Sequence, residues 1–530
     1  MQRRSLVLIA LCLAAFIISL DVTIVNVALP TLVRELGATS TQLQWVVDAY
    51  SLVFAALILA AGSLSDRFGR KGTLLIGLAV FAAGSLAGAA SGTTGELIGS
   101  RAVMGLGAAL MFPSTLSLLV NVFTERKERA QAIGLWGATT GVGIAMGPIV
   151  GGWLLGRFWW GSVFVLMAIV AGVIAVLVAL SVRTSRDPRT PPVDWRGLAL
   201  SIAGMAVLVF GVIEAPGWGW QSPVALVTIA GGAALLTIFV IAERRTPNPM
   251  LDVVLFRNPR FTAASVSVAI SFFALSGFIF LVTQYFQFVK DFSPLGTGIR
   301  LLPVAGSVAV TSVVGTKLAV RVGNKVIVGA GLLLFATGLF WTSTSTGSTS
   351  YLVIVGQMLF LGSGMGLTSA PATEAIMGAV PTAKAGIGSA VNDATRLFGG
   401  TLGVAVIGSV ATSLYTSRLV STLPSGIPGR ALTGAKGSVG GAVVASGVLS
   451  HVGLDRAAHG LATSATNAFI YSMSGGCRVA GAISVVGALV AIAFLPARPG
   501  KDGKAALQAA SESVANLPTS ELAPDARVGS

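Results

Sequence analysis

Five carboxylates and the guanidinium of Arg101 interrupt stretches of sequence that are otherwise apolar: Asp21, Asp48, Glu214, Glu374 and Asp393. A carboxylate placed in hydrocarbon costs about 2.5–3.5 kcal/mol on insertion scales. Such surroundings disfavour the charged form, so holding a proton near neutral pH becomes feasible. A group of this kind can alternate between a proton and a cationic ligand, which is the chemistry of exchange across a membrane.

Asp21 lies past the middle of the first apolar run and is the leading candidate for coupling or cation contact. Its plainer alternative is a carboxylate pinned by a structural hydrogen bond. Asp393 stands next to Asn392 and three residues before Arg396, so a structural i,i+3 ion pair competes with a functional role. Asp48 follows Trp45 near the outer end of its run; half-solvated placement and cation binding or release are expected there. Glu214 precedes Pro216 and reads as interfacial. Glu374 falls near the inner end of its run, at the cytoplasmic mouth. Arg101 needs a partner or water to be tolerated. A fixed positive charge would favour the ionised form of a neighbouring carboxyl in one conformation and not in another; a static buried ion pair is the plain alternative. Trp45, Tyr50, Trp136, Tyr285 and Phe286 are of the type that holds cations on ring faces, although aromatic residues also populate lipid-facing and interfacial positions.

These residues must be positioned by membrane-spanning helices. The chain has 530 residues, 54% of them hydrophobic and only 10% charged, with a mean hydropathy of +0.84; soluble domains carry about 25% charge. Its 66 glycines suit close helix contact in a bilayer. The formal charge of +15 does not indicate a nucleic-acid partner, because the basic residues sit in short loops between apolar runs. Cys12 and Cys477 form neither a disulfide framework nor a metal spacing. His451 and His459 share one polar loop, which leaves proton chemistry in the membrane to carboxylates. No Gly-x-x-x-x-Gly-Lys-Ser/Thr segment is present, no cofactor is indicated, and no nucleophile–base or metal constellation suggests an enzyme.

A spanning helix needs about 20 apolar residues. Fourteen segments qualify, near 6–29, 43–62, 73–92, 96–120, 132–155, 161–182, 198–215, 223–242, 261–288, 297–317, 326–345, 351–376, 386–412 and 474–496. The amino terminus has the look of a secretory signal but is read as the first span, since no small-residue cleavage site precedes Asp21. With that terminus in the cytoplasm, most of the 35 Lys and Arg fall on the inner side. Basic inner loops are Arg67/Arg70/Lys71, Arg126/Lys127/Arg129, Arg183/Arg186/Arg189/Arg196 and Arg244/Arg245/Arg257/Arg260. An even span count then puts both termini inside. Residues 413–473 are Gly/Ser/Ala-rich and read as an outer loop, with a short amphipathic element expected within 442–461. The tail at 501–530 lacks apolar periodicity and is expected to be disordered.

The two halves match at an offset of 254 residues: Arg67, Gly69, Lys71, Gly77 and Gly84 fall on Arg321, Gly323, Lys325, Gly331 and Gly338. Chance matching competes in a chain this rich in glycine, but both basic segments occupy the same place, between the second and third spans of a six-span unit. Two parallel six-span units with an extra pair between them make fourteen. The resulting organisation is a bundle at 1–182, a linker with two extra helices at 183–260, a second bundle at 261–500 and the tail.

The inner loop Gly62-Ser-Leu-Ser-Asp-Arg-Phe-Gly-Arg-Lys-Gly72 resembles the signature loop of the major facilitator superfamily. Gly62 and Gly69 would allow tight turns. Asp66 would meet the positive N-terminus of a helix of the other half, the thirteenth span; Arg67 and Arg70 would complete an inner latch that holds the outward-facing state. Three further segments resemble the 14-span drug:proton antiporter branch: Leu20 to Pro30; Arg101 to Gly107; and span 5, with Gly137, Gly141, Gly143 and Gly147-Pro-Ile-Val-Gly-Gly152. The stretches at Pro371–Glu374 and Gly388–Asp393 are similar to quaternary-ammonium exporters. Arg157-Phe-Trp-Trp-Gly departs from the Arg-Trp and downstream Asn-Pro of many relatives.

The resemblance implies an all-α integral membrane protein of the major facilitator fold, acting as a monomer in the bacterial cytoplasmic membrane. It implies a part in proton transfer for Arg101 and an antiporter motif at Gly137, Gly141, Gly147, Pro148, Gly151 and Gly152; the residues' own chemistry adds Asp21 and Asp393 to proton coupling and Asp48, Trp136, Glu374 and Tyr285 as cargo contacts. In span 5 the residues Gly137, Gly141 and Gly151 would give a smooth contact face and Pro148 a kink. The partners expected are protons, membrane lipid and a small lipophilic, often cationic, cargo. Two other readings share these residues: an exporter of one metabolite, lipid precursor or self-made antibiotic, and a transporter-like sensor or scaffold.

Overall fold

A computed structural model describes residues 2–185, 194–247, 249–380, 385–423 and 427–495. The expected tail at 501–530, Arg186 and Arg189, and the side chains of Arg126 and Lys127 lie outside the described residues. The apolar runs become helices: α1 (Gln2–Leu36), α2 (Ser40–Phe68), α3 (Arg70–Ala89), α4 (Thr94–Val122), α5 (Arg126–Leu155), α6 (Ser162–Ser181), α7 (Trp195–Trp218), α8 (Pro223–Arg245), α9 (Pro259–Gln284), α10 (Pro294–Arg300), α11 (Leu302–Val322), α12 (Asn324–Thr342), α13 (Tyr351–Gly378), α14 (Ala385–Thr422), α15 (Gly429–Gly437), α16 (Val439–His451) and α17 (Asp455–Phe494). Among the described residues there is no strand. Fourteen helices are long and apolar enough to cross a membrane, with α10 and α11 counting as one span.

Local signals set the boundaries. Thr39 closes a capping box with Gln42 at the start of α2, and Thr93 caps α4 by accepting from the Glu96 backbone N–H. Between α2 and α3 the chain turns at Gly69 with φ +114°, and between α11 and α12 at Gly323 with φ +99°. Both are left-handed conformations that glycine adopts without a Cβ penalty. These turns stand 254 residues apart, so the sequence repeat recurs as backbone geometry. Gly62, expected to help make this turn, instead lies inside α2, where its position faces Pro113; one glycine suffices for the reversal.

α1 to α6 form one bundle, and α9 to α14 with α17 form the other. α7 and α8 pack on each other, and α7 also lies against α2 and α14, along the seam between the bundles. α5 packs on α1 through Gly143, Gly147 and Gly151: a Cβ at Gly143 or Gly151 would stand 2.7 Å from Phe16 O or Ile24 Cγ1. Gly137 and Gly141, expected on that contact face, have no neighbour within reach of a Cβ. The contact face is set by the residue spacing 143–147–151, and 137 and 141 point away from it.

The halves meet on the outer side. Gln287 Nε2 donates to Val27 O at 3.0 Å, Ser409 Oγ donates to Gln44 Oε1 at 3.1 Å, and Gln44 Nε2 donates to Thr412 Oγ1 at 3.3 Å. Gly152 abuts Leu295, and Gly298 abuts Pro148. At the opposite end, which the sequence assigns to the cytoplasm, Gly137 and Gly141 of α5 have no such contact. The outer segment is helical rather than a loop. α14 and α17, with 38 and 40 residues, exceed the about 20 that a bilayer requires. Their outer ends hold α15 and α16; Tyr415 Oη donates to Ala435 O at 2.8 Å, and Gly440 packs on Val33 and Phe288.

Candidate functional site

α1, α2 and α4 build a buried ion pair. Arg101 Nη1 donates to Asp21 Oδ1 at 2.8 Å and to Oδ2 at 2.7 Å, and Nε donates to Val46 O at 3.1 Å. The guanidinium lies 4.4 Å from the centre of the Tyr50 ring. Gly105 makes this possible, because a Cβ there would collide with Tyr50 O. Asp21, Arg101 and Tyr50 are all buried. In such a pair the attraction is largely offset by lost hydration, while removal of one partner leaves an uncompensated charge.

Asp48 has a different environment. It is buried, and neither carboxylate oxygen has a hydrogen-bond partner. Helical spacing puts it on the face of α2 that carries Gln44 and Leu52. Gln44 bonds to α14, and Leu52 packs with Leu402 and Ala405 of α14. The expected half-solvated position is therefore corrected: α14 closes over the outer half of α2. Beside it, Trp45 Nε1 donates to Glu214 Oε1 at 2.9 Å. Glu214 is thus half-buried between α7 and α2, near the end of α7.

In the second half, Asp393 and Arg396 approach to 3.8 Å. Thr373 Oγ1 donates to Asn392 Oδ1 at 3.3 Å and accepts from Arg396 Nη2 at 2.9 Å. Glu374 is exposed at the inner end of α13 and accepts from Asn324 Nδ2 at 3.2 Å.

At the inner end of α2, Asp66 Oδ1 accepts from Arg70 Nε at 2.7 Å and from Ser117 Oγ at 3.1 Å. Both partners belong to its own half. Arg67 is exposed, over the ring of Phe68. Trp136 donates to Thr115 Oγ1 at 3.1 Å and rests on Phe112, with centroids 5.1 Å apart. Gly147, Pro148, Gly151 and Gly152 are buried on α5. Tyr285 lies in the outer seal, its hydroxyl donating to Thr346 O at 2.6 Å, apart from the other candidates for cargo contact. Sequence reasoning did not single out Gln44, Gln287 or Thr373. The two glutamines carried a signal, an amide within an apolar run; the signal for Thr373 was its place in the Pro371–Glu374 stretch.

Comparison with known proteins agrees with this architecture. The family model described as Major Facilitator Superfamily matches residues 11–404. The chain is 37% identical over 427 residues to the multidrug resistance protein Stp of Mycobacterium tuberculosis (strain CDC 1551 / Oshkosh), covering 81% of this chain and 79% of that one. It is 32% identical over 503 residues to the tetracenomycin C resistance and export protein of Streptomyces glaucescens, covering 93% and 92%. A bacterial homologue of the human lysosomal transporter Spinster, solved inward-facing and occupied, superposes with a TM-score of 0.68 at 16% identity, covering 93% of this chain and 98% of that one; this likeness is one of fold.

Proposed function

We propose an export function from the family of the chain: it belongs to the Major Facilitator Superfamily. The protein exports small lipophilic, often cationic, drugs or toxic compounds across the cytoplasmic membrane in exchange for protons, by rocking of its two six-helix halves. Both termini lie in the cytoplasm, and one chain is the working unit. Relatives that are named for multidrug resistance support the cargo class. Expelling a monovalent cation against 100 mV costs about 2.3 kcal/mol, which one inward proton can match.

The observation that carries the reading is Asp48, buried without a donor at the seam that must part when the outer side opens. An ionised carboxylate so placed would be costly, so Asp48 suits a proton-bearing acid here, and opening toward the outside would hydrate it. Asp21 and Arg101 form the second element. Their pair would exchange when a proton reaches Asp21, and Asp393 would play the matching part in the other half. Trp136 and Glu374 line the inner approach of the cargo, and Tyr285 would join only after the outer seal rearranges. Closure of the inner side would bring Asp66 to the N-terminus of α14, with Arg67 and Arg70 completing the latch at the Gly69 turn.

Ethidium transport into inside-out vesicles, by wild type and Asp21→Asn, with and without a proton gradient, tests the reading. Gradient-driven accumulation by wild type and its loss in the variant are expected; accumulation indifferent to the gradient would refute proton exchange. A single-cargo exporter is the second reading, favoured by the likeness to the tetracenomycin C protein over nearly the whole chain. A panel of unrelated dyes separates the two.

A further inference from the structure

Arg101 and Arg396 both sit within spans, and their states differ. Arg101 is 2% exposed, and the carboxylate of Asp21 sits directly on it. Arg396 is 33% exposed, although it lies well inside α14. Most of its donors are unfilled. Of the five N–H groups of a guanidinium, one bonds to Thr373 Oγ1 at 2.9 Å. Asp393 Oδ1 stands 3.8 Å from Nη1, beyond hydrogen-bond range. Nε is buried with no partner. The ring of Phe272 lies 5.5 Å from Cζ.

The placement is directional. Gly399 and Gly403 turn one face of α14 to α9, against Ala269 and Phe273. Leu402 and Ala405 turn another to α2. Position 396 continues the i, i+3, i+7 row of Gly399 and Gly403, and position 400 faces Ser276 of α9. Arg396 therefore stands at the edge of the α9 contact, flanked by Phe272 of α9 and Thr373 of α13, with a third of its side chain left exposed.

We propose that Arg396, with the Thr373 hydroxyl and the Phe272 ring, is an acceptor subsite that takes a carbonyl, phenolate or carboxylate oxygen on the rim of a planar aromatic cargo. This rests on the exporter reading and narrows its substrate class. A charge-assisted hydrogen bond is roughly twice as strong as a neutral one, and guanidinium groups both fork onto oxygen and stack on rings. A pump built for bare quaternary cations alone gains nothing from an unsaturated guanidinium in its cargo space, whereas an oxygenated aromatic ring fills all three features at once.

Reconstituted wild type, Arg396→Gln, Arg396→Lys and Thr373→Val are given two planar dyes, cationic ethidium and anionic resorufin, whose three fused rings carry oxygen at both ends. Wild type should export both. Arg396→Gln should move the selectivity ratio toward ethidium by about ten-fold or more, the worth of one hydrogen bond to a charged group, through a raised KM for resorufin. Arg396→Lys should recover part of that loss, because it keeps the charge without the fork. If Arg396→Gln fails to give a monodisperse protein, the Lys and Thr373→Val variants carry the comparison, each with a smaller shift in the same direction. Wild type that moves ethidium and not resorufin, or variants that slow both dyes equally or neither, would overturn the subsite; equal slowing identifies a clamp between α13 and α14. Wild type that moves neither dye removes the exporter reading itself.

Discussion

Arg101 Nη1 lies 2.7 and 2.8 Å from the two carboxylate oxygens of Asp21, both residues out of reach of solvent, with the Tyr50 ring against the guanidinium. A pair this enclosed must hold together or fail together. Breaking one partner of such a pair costs about 3–5 kcal/mol. Asp21→Asn and Arg101→Gln should each lower the thermal unfolding midpoint in detergent, and the double variant should recover much of that loss because two amides can bond to each other. Export should stay absent in all three. Recovery of export by the double variant would mean that the pair only braces α1 against α4.

Asp48 predicts the opposite combination. Its oxygens accept no hydrogen bond, so Asp48→Asn breaks none and should leave the unfolding free energy within about 1 kcal/mol of wild type. Substrate-induced proton release should nevertheless disappear. Intact proton release in that variant would take Asp48 out of the coupling scheme.

The outer seal can be locked. Gln44 and Ser409 touch across the seam at 3.1 Å, so Gln44→Cys with Ser409→Cys should form a disulfide on oxidation, stop export and regain it on reduction. Cys12 and Cys477 are buried and are replaced by alanine beforehand. In the locked form, Gly141→Cys should still react with an impermeant maleimide added to inside-out vesicles, since nothing covers that position. Protection of Gly141→Cys from that side would contradict an inward-open molecule.

The extra helix pair offers a stability test away from transport. Glu243 Oε1 and Asp194 Oδ2 are buried without partners, and both crowd the place where a Cβ of Gly197 would sit. The other oxygen of each accepts a backbone N–H, from Leu251 at 2.9 Å and from Gly197 at 2.9 Å. Glu243→Gln supplies a donor to Asp194 and should raise the unfolding free energy by about 1–2 kcal/mol, seen as a higher midpoint. A lowered midpoint would show that the glutamate is needed as an acid.

Much of this was legible in the residues. Long apolar runs between basic loops declared the spans, because hydrocarbon tolerates little else. The offset repeat found Gly69 and Gly323, whose backbone demands glycine. Arg101 announced that it needed a partner, and Asp21 is that partner. What resisted reading was direction. Asp48 could not be told from a solvated acid without knowing that α14 closes over it, and Gly137 could not be told from Gly143 without the angle at which α5 meets α1. Residues 413–473 misled for another reason. Their small and polar side chains are weak span formers, yet they make helices once α14 and α17 extend past the membrane to support them.

The matched turns at Gly69 and Gly323 put the same backbone reversal at the same station in each half. Yet Asp66, three residues before the first turn, faces Val320 at the same distance before the second. The two halves share the bend and differ in the charge, so an acid able to fasten that face is carried by one half only, and a pair of like frames works with unlike parts.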